Sequence, residues 1–230
     1  MIEKKNEYIL TIKKNEDILV NGDSWWDSYG DMTAIGVFPL LGNDNKQLIV
    51  MQYSGGSGGL HMCKIYDLVP NIRLIHDDHE HGLFGELTII DINKDNKYGI
   101  GRIGNSFRTS YMANADRVNS KVILSYNMNK RKYTIENKSF SDYVLVDVEN
   151  NINKFNNINI PLNTILKQSF LADYTSAILK VLISYIYSGK EQEGWDFFNT
   201  RYRLSNKKAV TSYIIERLDN DPVYKEIYGR

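Results

Sequence analysis

Gln47-Leu48-Ile49-Val50-Met51-Gln52-Tyr53, a serine- and glycine-rich tip over residues 54–59, and Leu60-His61-Met62-Cys63-Lys64-Ile65-Tyr66-Asp67-Leu68 carry the architecture of this chain. Two short runs of β-branched and aromatic residues joined by small, turn-forming ones are the signature of a β-hairpin. The same texture extends in both directions. Upstream, Glu7 to Ile12 and Ile18 to Val20 flank a polar turn at Lys13 to Asp17, and Ala34 to Leu41 follows as another strand. Downstream come Ile72 to Ile75, Glu86 to Ile92, Tyr98 to Ile103, Val122 to Asn127, Lys132 to Ile135 and Tyr143 to Val148. Short, evenly spaced strands without a helical period imply a mainly β fold of consecutive antiparallel sheets, a partial propeller or a sandwich.

After Asn150 the pattern changes. Asn-rich residues 151–160 read as a linker between a β-rich domain over 1–150 and a helical segment over 161–230 packed on it. Ile165, Phe170, Tyr174, Ile178, Val181, Leu182 and Tyr185 recur at helical spacings, and Ser188-Gly189 supplies a stop. Trp195, Phe198 and Tyr202 mark a second helix, Lys208 to Leu218 a third, and Asp221-Pro222 opens a terminal turn.

Charge excludes one class of partner. With 28 basic and 28 acidic residues the net charge is zero, so no broad positive field exists for nucleic acid. The most apolar window, Ala177 to Ile186, is broken by Lys180 and too short for a membrane span. The single Cys63 rules out an internal disulfide. No apolar export stretch follows Met1, so the sequence as given points to the cytoplasm, or to export if a signal has been removed.

Asp91, Asn93 and Asp95 stand at positions one, three and five of a turn, with the Lys97 carbonyl at position seven. Ca²⁺ takes such converging oxygens, but position twelve is Arg102, so the loop is either a calcium site without its closing carboxylate or a cation-free Asx turn. His76-Asp77-Asp78-His79-Glu80-His81 gathers three imidazoles with acids. It reads either as a solvated connection or as a metal-assisted hydrolase with His76, His79 and His81 as ligands and Glu80 or Asp78 as base. Gly55-Gly56-Ser57-Gly58-Gly59 matches a nucleophile elbow in pattern only, since a strand follows where a helix is needed. His61 with Cys63 lacks a third orienting group. Trp25, Trp26 and Tyr29 lie among aspartates, as a recognition patch or as a plug at the end of a sheet.

Tyr53-Ser54-Gly55-Gly56 with Leu60-His61-Met62-Cys63, the loop from Asp91 to Ile100, and Ile186-Tyr187-Ser188-Gly189 followed by Gly194-Trp195-Asp196-Phe197-Phe198 resemble a family of uncharacterised bacterial proteins. Its members carry a Tyr-Ser-Gly-Gly-Ala-His-Cys-Cys-like strand turn and an Asp-rich loop similar to those of FG-GAP and VCBS repeats. The resemblance implies no reaction. This chain departs from the pattern in the inserted Ser57-Gly58-Gly59, in Met62, and in Gly99 at the loop's closing acid. The expectation is a non-enzymatic module that recognises a protein or glycan through sheet-end loops containing Trp25, Trp26, Tyr29, Ser54 and Ser57, beside a loop stiffened by Ca²⁺. A metal-assisted hydrolase and a structural subunit of a homo-oligomer are the alternatives.

Overall fold

Strands β3 (Thr33–Phe38), β4 (Gln47–Tyr53), β5 (His61–Asp67) and β6 (Arg73–Asp77) form one antiparallel meander. A second meander follows it, made of β7 (Phe84–Ile90), β8 (Gly99–Phe107), β9 (Val118–Asn127) and β10 (Lys132–Ile135). This computed structural model describes residues 8–14, 17–25, 33–42, 45–53, 61–91, 94–107, 117–158 and 168–230. A separate hairpin pairs β1 (Tyr8–Lys14) with β2 (Asp17–Trp25), as the opening residues imply.

The two sheets meet where β5 runs beside β7 and β6 beside β10. Arg73 and Tyr98 show which ends coincide. The Arg73 Nη2 of β6 donates to the Tyr126 hydroxyl of β9 at 2.9 Å, and the Tyr98 N–H donates to the Leu40 carbonyl at 2.9 Å. The β3–β4, β5–β6, β7–β8 and β9–β10 connections therefore all lie at one end of the paired sheets.

Six α-helices stand among the described residues: α1 (Ser141–Leu145), α2 (Val148–Asn156), α3 (Gln168–Tyr187), α4 (Glu191–Arg201), α5 (Lys207–Asp219) and α6 (Pro222–Tyr228). The fold is thus mixed α/β rather than mainly β, and among the described residues no propeller forms. Central strand β9 shows why. Val122, Ile123 and Leu124 are all buried, so both faces of the strand are covered, and α3 packs along it. Helix α3 is buried nearly all round through Tyr174, Ile178, Leu179, Val181, Leu182, Ile183, Ile186 and Tyr187. One continuous core joins both sheets to the helices, where a propeller would need sheets repeating about an axis.

Two local expectations are corrected. Tyr143 to Val148 is helical, because Val144, Val148 and Phe155 are buried at spacings of four and seven while Tyr143 and Val146 face solvent. Helix α2 also runs through Asn156, inside the stretch read as a linker. Gly189 ends α3 at φ 87, where the Lys190 N–H reaches back to the Tyr185 carbonyl. Among the described residues, no helix is long and apolar enough to cross a membrane.

Candidate functional site

The hairpin end encloses a groove of about 460 Å³ lined by Leu40, Leu41, Asp67, Arg73, Asp95, Lys97, Tyr98, Gly99, Ser125, Tyr126, Met128 and Arg131. Its floor is built by strand register. Gln47, Asp67 and Arg73 are successive partners across β4, β5 and β6. Gln47 is buried and donates to Asp67 Oδ1 at 3.2 Å, while its Oε1 accepts the Leu41 N–H. Arg73 faces Asp67 Oδ2 at 3.4 Å, and its buried Nε has no hydrogen-bond partner among the described residues. Tyr126 packs edge-on against Tyr133, whose hydroxyl donates to the Tyr98 carbonyl at 2.9 Å. Burial holds the Tyr133 phenol well above its ordinary value.

Two loops form the walls. Asp91 accepts the Asp95 N–H at 3.1 Å and the Asn96 N–H at 3.3 Å, and Asp95 accepts the Lys97 N–H at 3.0 Å. These are Asx-type contacts that shape the loop from within. Gly42 lets the neighbouring loop approach, because a Cβ there would sit 2.4 Å from the Asn96 carbonyl oxygen. In the β9–β10 turn, Asn127 Oδ1 accepts the N–H groups of Asn129 and Lys130, and Arg131 takes a φ of 53.

The residues predicted from sequence are dispersed. Trp25 ends β2, whereas Trp26, Tyr29, Ser54, Ser57 and Asn93 lie outside the described residues. The strand ends flanking the glycine turn, Tyr53 and His61, pair at the end of the first sheet opposite the Asp91 loop. His76 is buried with Nε2 2.8 Å from Asp78 Oδ1, and His81 Nε2 lies 2.8 Å from Glu226 Oε2 on α6. His79 is exposed. Among the described residues, no three His, Cys, Asp or Glu side chains are placed to hold a metal. The hydrogen bond from His81 draws the Glu226 carboxyl below its ordinary value, against partial burial.

Asp78 has become a staple between the sheets. Fully buried, it accepts the Cys63 N–H at 2.6 Å, the Arg102 Nε at 3.1 Å and a second bond from Arg102 Nη2. Arg102 also donates to the carbonyls of Gly85 and His61 at 2.7 and 2.8 Å. Burial comes first and the Asp78 charge second in pushing the Cys63 thiol up to about 12, so it is a core residue rather than a nucleophile. A maleimide or disulfide reagent at pH 8 is expected to label denatured protein fully and the native protein at a rate lower by orders of magnitude. Rapid native labelling would show that this part of the core opens.

Sequence reasoning missed Arg73, a lone cation inside the run Ile72 to Ile75, and Tyr126, between Ser125 and Asn127, and gave no role to Arg131. The pairing of Asp67 with Arg73 across a five-residue connection was the available signal. No family model, no curated protein and no solved structure matches this chain.

Proposed function

We propose that this protein is a non-enzymatic binding module that recognises a partner through the hairpin end of its sheets. The groove between the two sheets supports this most directly, since loops from both sheets converge on it and cationic, aromatic and apolar groups share its lining. A protein partner suits it better than a glycan. Arg73, Lys97 and Arg131 supply charged contacts beside Tyr98 and Tyr126, and Met128 stands 75% exposed at the rim, a mixture that suits a protein surface. The Asp91 loop serves as a preformed wall held by its own hydrogen bonds, and the reading holds whether or not Ca²⁺ adds to them.

The test is capture of a partner on immobilised full-length protein, with Arg131→Glu as the discriminating variant. Capture is expected to fall at least about tenfold, as for reversal of a charge at a binding surface. Undiminished capture would place the interface elsewhere.

A second reading, the structural subunit, is favoured by one observation. Edge strand β3 exposes Ile35 and Val37, 64% and 55% accessible, on one face and carries no charged residue to discourage pairing. Sedimentation that shows a stable oligomer, dissociated by Val37→Lys, would support it. A monomer at all concentrations would dismiss it.

A further inference from the structure

We infer that the groove holds a carboxylate side chain of a protein partner, an acidic residue flanked by apolar ones. This rests on the binding reading above and names the chemistry that the same site selects. Among the described residues, three cations, Arg73, Lys97 and Arg131, line the groove against two carboxylates, Asp67 and Asp95. One positive charge is left over. Asp67 is taken up by Gln47 and Arg73 in the floor, and Asp95 accepts the Lys97 backbone N–H in one wall, so both acids are committed to contacts within the protein. Neither the Lys97 ammonium nor the Arg131 guanidinium forms an ion pair among the described residues. At Arg73 the buried Nε has no partner among the described residues, although Nη2 donates to Tyr126. The Arg73 side chain keeps 30% of its surface exposed, so it can still meet an acceptor, and a carboxylate oxygen is the strongest neutral-pH acceptor a protein offers.

Two further observations choose the ligand. Arg131 occupies the left-handed region at φ 53, where glycine sits without strain and an arginine does not. The single uncompensated charge then favours a monoanion, because Asp67 and Asp95 repel the second charge of a phosphate dianion. Leu41 and the exposed Met128 suit apolar neighbours of that acid better than a free anion.

The experiment titrates the full chain with acetyl-Leu-Glu-Leu-amide, its glutamine counterpart and inorganic phosphate at low salt, following the arginine side-chain Nε–H resonances by NMR. Saturable movement of the Arg73 and Arg131 signals is expected with the glutamate peptide in the millimolar range. The glutamine peptide should bind at least about tenfold more weakly and phosphate more weakly than glutamate, as loss of a charge-assisted contact implies. In Arg131→Gly the glutamate peptide should lose about tenfold in affinity while the thermal midpoint stays or rises by about 2–4 °C, since the strained backbone is relieved. Equal binding of the two peptides, tighter binding of phosphate, or unchanged affinity in Arg131→Gly would each overturn the inference. If the peptides are not distinguished while Arg131→Glu still abolishes partner capture, the carboxylate inference fails and the binding module stands. If the glutamate peptide binds selectively while capture ignores Arg131→Glu, the carboxylate site stands and the proposed interface fails.

Discussion

Asp78→Asn is expected to lower the unfolding free energy by about 3–5 kcal/mol, the cost of breaking a buried ion pair from one side. The substitution keeps the volume of the side chain but leaves the Arg102 guanidinium, 3% exposed, without its counter-charge. It also exchanges one acceptor oxygen for an amide that cannot serve His76, Arg102 and the Cys63 N–H together. The effect carries a pH signature. Burial raises the Asp78 pKa, but hydrogen bonds from His76 and Arg102 outweigh it and hold the carboxyl below its ordinary value. The folded state therefore binds fewer protons than the unfolded one just below the ordinary carboxylate value of about 3.9. That stabilisation is complete well above pH 4 and is lost as the pH falls through the folded-state pKa. Urea unfolding of wild type and Asp78→Asn should show a difference that narrows as the solution is acidified from pH 7 to pH 3. A constant or widening difference would mean that the charge of Asp78 is not what the variant loses.

Phe198→Ala is expected to cost a similar amount, about 3–5 kcal/mol, for a different reason: it opens a cavity. Phe198 is fully buried in α4, stacked on Tyr202 with ring centroids 4.9 Å apart and edge-on to Trp195 at 5.7 Å. Tyr202 in turn meets Tyr174 of α3, which meets Phe155 of α2, so the cavity lies in an aromatic chain that joins three helices. Because the helices share one core with the sheets, circular dichroism of the helices and Trp or Tyr fluorescence should report one transition, shifted to lower denaturant. Phe198→Leu should cost less than half as much. Separate melting of the helical region would show that the core is divided.

Much of this fold was legible because the strands and helices obey their periods. The β4–β5 hairpin follows directly from Gln47 to Leu68, and the terminal helix opens where Asp221-Pro222 signals it, with Asp221 accepting the Val223 N–H at 2.9 Å. Tyr143 to Val148 failed because a six-residue apolar run broken only by Asp147 fits either period, and only its contacts decide between them. The site was harder to read. Asp78 and His76 looked like chemistry in a row of acids and imidazoles, yet Arg102, which pairs with Asp78, is 24 residues away, and a sequence does not show which strand will bring it. The Asp91 loop was seen as a candidate cation site, but its role as one wall of a groove depends on Tyr98 bonding Leu40 across two sheets. Arg131 is conspicuous only once its backbone conformation is known.

Hydrogen exchange of the full chain, measured free and bound to its captured partner, addresses the binding site itself. The account expects slowed exchange in the hairpin loops 68–72, 94–98 and 128–131, with the amides around Tyr53 and His61 unaffected. Protection confined to the Tyr53 and His61 end, or to β3, with these loops unchanged, would contradict it.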